Sequence, residues 1–565
     1  MKYISFTSVL FAVYFFLIVP AYGQYDPWPD IQLATQLEAE NKIEEASAIW
    51  GRLVSFYEGQ TDPGSYINAA IYHKKLGAYY DGIKSYDEAV YHYEKENEYW
   101  SKAGQPSWGV VDMIRADQIR TTYDFFVKIP GLSDQKLVKF EPENGFYAGI
   151  YCENDPKVGQ NLAAANDLYG EHKIFLFYQF FGEGFDGWWE GTNYFERTNF
   201  PVEMGRKIKS LSSAIQVSMS AGSGGLEGIT QNSWILQWAE EARDLGIPIF
   251  LRFLPEMNGD WAAGLQNGNG RPELFKEKFR SIHDLMAEIA PNVVMVWCPN
   301  DVPVELNGIR LEDYYPGDDY VDWVGVNFYI DYYEVGNVNL PDNRLQNPLD
   351  HLKYIYELYA TRKPIMVCET GVSHYSLTAQ ADLSEWASIL LQKLYTYLPI
   401  KYPRVKAITY FSLNQANPNY PLDNVWNNYC ISENELIETT YQDLLKNQNI
   451  VKQINGNSGV SYKKMQEVDL EMDLSEYRTL IFDVKIPDYK VSRVECWISD
   501  ELIAVLKNVP YTLRFSAIPG TYSGSVRQVT VKVFDSKNVM YSKKVINLAI
   551  PEKSMAMPWL QLLLD

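Results

Sequence analysis

Two glutamates at the ends of distant, mostly apolar segments are the residues of this sequence whose types could do chemistry together. Glu256 follows the run 248–254, and Glu369 follows the run 364–368. A facing pair of carboxyl groups can hydrolyse a glycosidic bond, because one protonates the leaving oxygen while the other, ionised and about 5 Å away, attacks the anomeric carbon. The charge on Glu369 would keep Glu256 protonated for the first role. A single glutamate at a strand end is usually solvated or ion-paired, so this interpretation depends on the pair.

The elements that would position the two glutamates form a repeating pattern. Residues 140–450 alternate strand-like and helix-like segments eight times, which predicts a (β/α)8 barrel. An open doubly wound sheet is the alternative, but no glycine-rich phosphate loop follows the first strand, so nucleotide binding has no support. Strand ends converge on one barrel mouth, and the fourth and seventh strands would carry Glu256 and Glu369 there. We predict strands at Phe146–Cys152, Ile174–Phe181, Ala214–Ser220, Pro248–Leu254, Val293–Cys298, Trp323–Tyr329, Pro364–Cys368 and Ala407–Ser412.

The two-residue period of a strand indicates which side chains share the interior of the barrel. Arg252 shares a face with Glu256, and Asn327 shares one with Tyr329. We expect Arg252 to hold Glu369 in its ionised form and Tyr329 to donate a hydrogen bond to it. A structural ion pair of Arg252 inside the barrel is compatible with this role.

Aromatic residues near other strand ends are candidates for sugar binding, because sugar rings stack on aromatic faces. Trp188 and Trp189 follow the second strand, and Tyr410 and Phe411 stand at the end of the eighth. Packing explains most aromatic side chains, and the sequence does not decide between Tyr410 and Phe411. The histidines and the five cysteines show no metal-ligand spacing, so we expect neither a metal nor a cofactor.

The flanking segments predict two further domains. Residues 30–130 have apolar positions at helical spacing, and 41–46 resemble 77–82, an offset close to the tetratricopeptide period. A tetratricopeptide-like array and a plain helical bundle both fit, and either could dock a protein partner or brace the barrel. Residues 460–550 alternate as short strands with turns, which predicts an immunoglobulin-like β-sandwich.

The net charge indicates which kinds of partner are compatible with the chain, and the N-terminal residues indicate its location. The net charge of −22 argues against nucleic acid, which requires a basic footprint, and favours a neutral polysaccharide as substrate. Lys2 precedes the apolar run Ile4–Val19 and small residues up to position 23, which predicts a signal peptide over 1–23. An uncleaved membrane anchor is the alternative. We expect a secreted protein without a membrane span after cleavage.

Four motifs in order resemble glycoside hydrolase family 26, a family of barrels with catalytic glutamates on strands four and seven. The resemblance covers roughly 145–450 and implies Glu256 as acid/base, Glu369 as nucleophile and Tyr329 as the residue that orients the nucleophile. It also implies sugar contacts by Arg252, Asn258, Trp261 and Trp297. The motifs are Arg252 with 256–261, the strand-five residues 297–300, the approach to strand six at 314–325, and the nucleophile strand 363–371.

Three departures from the family pattern bear on specificity. Pro255 stands where the family usually has histidine, Asn327 stands where it often has aspartate, and strand eight lacks the usual tryptophan. Together these observations predict a retaining β-glycoside hydrolase, endo-acting on a neutral polysaccharide such as mannan or β-glucan. The departures motivate the alternative, a catalytically inactive carbohydrate-binding or scaffold protein.

Overall fold

The computed structural model describes residues 25–131, 136–152, 155–182, 199–222, 224–259, 267–301, 309–339, 343–416 and 426–552. The signal peptide predicted for 1–23 lies outside these residues. The chain divides into two compact units, residues 1–117 and 118–565. Within the described ranges, no helix combines the length and the apolar character that crossing a bilayer requires.

The first unit consists of helices that pack through one apolar face each. On α2 that face includes Ile49, Leu53 and Tyr57, spaced four residues apart as a buried helix stripe requires. The helix α3 begins at Pro63, and the side chain of Asp62 caps it by accepting from the backbone N–H of Ser65 at 3.0 Å. The tetratricopeptide character remains a prediction. The helices are α1 (Trp28–Ala39), α2 (Ile43–Glu58), α3 (Pro63–Gly82), α4 (Tyr86–Lys102) and α5 (Val110–Ile119).

The helical interpretation of 30–130 is wrong at its end. The strand β1 (Thr122–Pro130) follows α5 and pairs with two strands that lie beyond the barrel in sequence. Alternation along β1 is weak, because Phe125, Phe126 and Val127 are all buried. A run of this kind is ambiguous between helix and strand when only local pattern is available.

Eight parallel strands close into a barrel in the order β11-β2-β3-β4-β5-β6-β7-β8. The predicted barrel is confirmed, and the open-sheet alternative is excluded because β11 pairs with β2. The strands are apolar runs because both faces are buried. They are β2 (Tyr147–Tyr151), β3 (Ile174–Phe180), β4 (Ala214–Ser220), β5 (Ile249–Phe253), β6 (Val293–Trp297), β7 (Trp323–Ile330), β8 (Ile365–Val372) and, after the short β9 (Tyr375–Ser376) and β10 (Ala381–Asp382), β11 (Val405–Phe411).

Helices of the second unit lie between the barrel strands in the sequence and cover the sheet. On α9, Trp238, Ala239 and Ala242 are buried, and Phe275 and Phe279 are buried on α10. The helices are α6 (Leu162–Tyr169), α7 (Val202–Ser210), α8 (Gly225–Gly228), α9 (Ser233–Leu245), α10 (Pro272–Ile289), α11 (Asp350–Tyr359), α12 (Ser384–Lys401) and α13 (Glu435–Leu444).

Two four-stranded antiparallel sheets, built from β1 and from strands that follow the barrel in the chain, share one apolar core. The orders are β13-β1-β14-β17 and β16-β15-β18-β19. This sandwich was predicted from 460–550, although the contribution of β1 was not; its immunoglobulin-like character remains a prediction. The strands, after β12 (Asn427–Asn428), are β13 (Val460–Met465), β14 (Thr479–Lys485), β15 (Arg493–Ile498), β16 (Glu501–Leu506), β17 (Tyr511–Arg514), β18 (Ser525–Phe534) and β19 (Met540–Ile550).

Candidate active site

Glu369 lies inside the barrel on β8 and is held by an arginine and a tyrosine. The guanidinium of Arg252 contacts Oε1 of Glu369, and the hydroxyl of Tyr329 donates to Oε2 at 2.7 Å. Both contacts are those expected from strand parity. Arg252 is 0% exposed and Glu369 is 6% exposed, so the pair sits where water screens the charges poorly. In this arrangement Arg252 acts through Glu369, and its direct contact with sugar stays a prediction.

A second tyrosine, Tyr178 on β3, also faces this carboxylate. Burial, then the negative charge of Glu369, raises the pKa of Tyr178 well above its ordinary value, with a hydrogen bond to Glu369 contributing in the same direction. The same two causes raise the pKa of Tyr329. Both hydroxyls thus stay protonated and remain donors. The sequence analysis did not identify Tyr178 as a site residue. Its place follows from the pairing of neighbouring strands, because Tyr178 on β3 pairs with Ser218 on β4, and Ser218 pairs with Arg252 on β5.

Arg252 is fixed from several sides. Its Nη2 contacts the hydroxyl of Ser218 as well as Glu369, and its Nη1 donates to Oδ1 of Asn327 at 2.9 Å. Burial acts to lower the pKa of Arg252, but the charge of Glu369 outweighs it and the pKa lies well above the ordinary value. The arginine is a permanent cation with a single preset orientation.

Glu256 lies just beyond the end of β5, in a turn of unusual backbone conformation. Its φ is +55°, and that of Leu254 is +53°, a left-handed region that costs energy for residues other than glycine. The backbone N–H of Glu256 donates to the carbonyl of Cys298 at 2.8 Å, which holds the turn. This turn, just beyond the end of β5, sets the direction of the partly buried Glu256 side chain.

Two amide side chains hold the carboxyl group of Glu256. Asn300 donates to Oε1 at 3.1 Å, and Asn327 donates to the same oxygen at 3.0 Å. Asn258 in turn fixes Asn300, because its side chain bonds to both backbone polar groups of Asn300 at 2.9 Å. Asn258 is 2% exposed and positions Asn300, and its contact with sugar stays a prediction.

Aromatic rings surround Glu369 at the mouth of the barrel. Phe411 stacks on Tyr151 with ring centroids 4.8 Å apart, and lies edge-on to Tyr329 at 5.6 Å and to Tyr178 at 6.3 Å. Tyr410 points to the other side of β11, where it is buried against Tyr441. Phe411 is thus the strand-eight residue that contacts the tyrosines of the site, and a role of Tyr410 in sugar binding stays a prediction.

Of the four tryptophans predicted to contact sugar, Trp297 is the one that lies among the described residues. Trp297 is 0% exposed and packs against Tyr315 and Tyr359 at centroid distances of 5.0 and 5.3 Å, and its contact with sugar stays a prediction. Trp188, Trp189 and Trp261 lie outside the described residues. Among the described residues, no group of acidic, histidine or cysteine side chains is arranged to hold a metal ion.

The cysteines are packing residues. Cys152, Cys298, Cys368, Cys430 and Cys496 are all free and buried. Burial comes first among the causes that raise the pKa of the Cys298 thiol well above its ordinary value, so it is not a thiolate nucleophile.

The fold and the site define a (β/α)8 barrel with one glutamate just beyond its fourth strand and a second glutamate, paired with arginine, on its seventh. Residues 208–343 match the model of glycosyl hydrolase family 26. The resemblance predicted from the four motifs is confirmed by this match, and the chain is similar to glycosyl hydrolase family 26 over these residues.

Several proteins of known activity are similar in sequence to parts of this chain. A beta-1,3-xylanase from Alcaligenes sp is 28% identical over 136 residues, 23% of this chain and 27% of the relative. A mannan endo-1,4-beta-mannosidase from Bacillus subtilis strain 168 is 30% identical over 112 residues, 18% of this chain and 30% of the relative. The chain therefore spans less than a third of the length of these curated relatives. The solved structure of a GH26 beta-mannanase from Bacteroides ovatus shares 15% identity over 55% of this chain and 90% of that one, with a TM-score of 0.35.

Proposed function

We propose that the protein is a retaining β-glycoside hydrolase in which Glu369 is the nucleophile and Glu256 is the acid/base. The observation that carries the proposal is the contrast between the two environments. Glu369 is buried against a fixed guanidinium and tyrosine hydroxyls, donors that hold both of its carboxyl oxygens in place. Glu256 faces neutral amides and is only partly buried, so no fixed cation holds its carboxyl group.

In the first step, the Glu256 carboxylic acid gives its proton to the glycosidic oxygen. The Glu369 carboxylate attacks the anomeric carbon, the bond to the leaving sugar breaks, and a glycosyl ester forms on Glu369. In the second step, Glu256 takes a proton from water, whose oxygen attacks the same carbon and releases Glu369. The configuration at the anomeric carbon is retained because each step inverts it once.

Neutral β-linked polysaccharides are the proposed substrates, and mannan and β-glucan are the first candidates. Relatives that match include a mannosidase, a xylanase and an endoglucanase, and the net charge of −22 disfavours acidic glycans. Phe411 supplies an aromatic face at the position where the family usually has tryptophan, and Pro255 cannot offer the side-chain hydrogen bonds of histidine. We propose endo-cleavage with a preference that departs from mannan-specific members.

Hydrolysis of a glycan panel tests the proposal. The purified protein should release reducing ends from mannan, β-glucan or β-1,3-xylan, and Glu369→Ala should remove this activity. Glu273→Ala is the matched control, because Glu273 is 86% exposed at the start of α10 and should leave the rate unchanged. Full activity in Glu369→Ala would refute the nucleophile assignment.

The second candidate is a non-catalytic carbohydrate-binding or scaffold protein, favoured by Pro255 and by the absence of a strand-eight tryptophan. Calorimetry that detects glycan binding, with no turnover of any panel member, would support it. For either candidate we propose export, with the signal peptide of 1–23 removed and a protein partner on the helical unit. N-terminal sequencing of the mature protein tests the cleavage.

A further inference from the structure

One amide side chain links the two glutamates. Asn327 is 1% exposed. Its Oδ1 accepts from Nη1 of Arg252 at 2.9 Å, while its Nδ2 donates to Oε1 of Glu256 at 3.0 Å. Because Arg252 also contacts Glu369, a path of two side chains, Arg252 and Asn327, connects one carboxyl group with the other.

The orientation of this amide follows from its neighbours. A guanidinium has donors and no acceptor, so the amide atom that faces Arg252 must be the oxygen. The thiol of Cys298 approaches the same oxygen at 3.2 Å, which a donor can do only if oxygen stands there. The NH2 group of Asn327 is therefore turned towards Glu256 and can only donate to it.

Oε1 of Glu256 receives a second N–H from Asn300 at 3.1 Å. An oxygen that accepts two such bonds uses its lone pairs for them, and a proton placed on it would point at a donor. The stable carboxylic acid form of Glu256 then carries its proton on Oε2. We propose that Asn327 is a positioning residue that assigns the transferable proton of Glu256 to Oε2 and couples Glu256 to the arginine of the nucleophile. This inference rests on the proposed function.

The coupling acts in both steps of the reaction. In the first, the proton leaves Oε2 for the glycosidic oxygen, and Oε1 keeps both amide bonds, which strengthen as negative charge develops on Glu256. When Glu369 becomes a neutral ester, Arg252 loses its counter-charge. Its field then favours the ionised form of Glu256, which has to accept a proton from water on Oε2.

Changing the amide to a carboxylate reverses its effect on Glu256. In Asn327→Asp the side chain cannot donate, and its negative charge beside Glu256 favours the protonated acid. The basic limb of the kcat/KM profile, which reports ionisation of the acid in the free enzyme, should move up by about one pH unit. Asn327→Ala removes the donor and should lower acid catalysis by about 10- to 100-fold, within the range for a positioned proton donor.

Two aryl glycosides of the sugar that the wild type cleaves separate acid catalysis from the rest. A phenyl leaving group needs protonation and a 2,4-dinitrophenyl group does not. We expect Asn327→Ala to lose about 10- to 100-fold in kcat/KM on the phenyl glycoside and less than about threefold on the dinitrophenyl glycoside. Asn508→Ala is the matched control, because Asn508 is exposed in the sandwich and lies outside the site, and it should keep the wild-type profile.

Equal losses on both glycosides, or an unmoved basic limb in Asn327→Asp, would overturn the inference. If Asn327→Ala does not fold, the similarly sized Asn327→Asp variant still gives the pH profile. These results differ from failure of the proposed function, in which the wild type would hydrolyse neither glycoside. In that case the inference is overturned with it.

Discussion

The guanidinium of Arg252 and the carboxylate of Glu369 meet inside the barrel, from positions 117 residues apart in the chain. One is on β5 and the other on β8, and neither is appreciably exposed. Burying two charges costs several kcal/mol per ion, and their attraction offsets this only with good geometry and further hydrogen bonds. The hydroxyls of Ser218 and Tyr329 provide such bonds. The buried pair is therefore weak evidence for a contribution to stability, and it favours a functional role for the Glu369 carboxyl group.

Removing the arginine should destabilise the barrel and abolish catalysis. Arg252→Met leaves Glu369 buried without its counter-charge, which is expected to cost about 3–5 kcal/mol of unfolding free energy. Denaturant unfolding measures this cost, and reducing-end release measures the activity. Arg271→Met is the matched control, because its pair with Glu227 is 49% and 63% exposed and such surface pairs contribute about 0–1 kcal/mol. Equal effects of the two substitutions would contradict the account.

The two tyrosines that face Glu369 should affect turnover more than binding. Tyr329→Phe and Tyr178→Phe each remove a hydrogen bond to a charged group, worth about 1.5–3 kcal/mol. We expect kcat to fall by about 10- to 100-fold, with a much smaller change in KM. Tyr410→Phe is the control on the opposite side of its strand and should keep nearly full activity. A loss confined to KM would indicate that the hydroxyls bind substrate instead.

A carboxyl group near the site should make stability depend on pH. The Tyr429 hydroxyl donates to Asp331 at 2.6 Å, and the Tyr429 ring lies 5.2 Å from that of Tyr329. Burial raises the pKa of Asp331 from 3.8 to about 7. Because the folded state holds this proton more tightly than the unfolded chain, stability falls as the pH rises from about 4 to 7 and then levels off. Asp331→Asn should therefore raise Tm relative to wild type more at pH 8 than at pH 5.

Asp319→Asn, at an exposed position, serves as the control for this comparison. In Asp331→Asn the asparagine can still accept a hydrogen bond from Tyr429, so this variant keeps the contact and loses only the titratable group. A difference in Tm between Asp331→Asn and wild type that is the same at both pH values would show that Asp331 does not titrate in this range.

The helical unit contains a second buried acid, Glu96 on α4. Its side chain is 0% exposed and accepts from the Trp100 indole at 3.1 Å. Burial, followed by the nearby charge of Asp112, raises the pKa of Glu96 from 4.5 to about 8. Raising the pH from 5.5 to 8.5 should therefore destabilise these helices, and Glu96→Gln should remove the effect. Amide hydrogen exchange of peptides from Tyr86–Lys102, corrected for intrinsic rates, measures it; equal pH dependence in both proteins would contradict the prediction.

The sequence was sufficient for the barrel because its strands are buried on both faces and read as apolar runs. It was insufficient for β1, which pairs with Val460–Met465 and Thr479–Lys485 across the whole barrel. No local pattern reports a partner more than 300 residues away. The second unit thus has a sheet whose first strand precedes the barrel and whose other strands follow it.

The alternation of side chains within one strand was enough to predict the contacts of Arg252 and Tyr329 with Glu369. It was not enough where the position of a side chain depends on the register between neighbouring strands. Val296 pairs with Arg252, so Trp297 must face the helices, a conclusion that requires the register of β5 against β6. The register also separates Tyr410 from Phe411. Thr409 donates a hydrogen bond to Gln216 inside the barrel, and Phe411, two residues further on, lies on the same face of the strand, while Tyr410 lies on the opposite face. Tyr178 became visible as a site residue only through its place beside Ser218 and Arg252.

The most direct test of the central claim is to trap the glycosyl-enzyme. The protein is incubated with an activated 2-deoxy-2-fluoro-β-glycoside of the sugar it cleaves, digested, and analysed by peptide mass spectrometry. Our account predicts one added fluorosugar, attached to the side chain of Glu369. Attachment to a different residue, or rapid hydrolysis of the normal substrate without any covalent adduct, would contradict it.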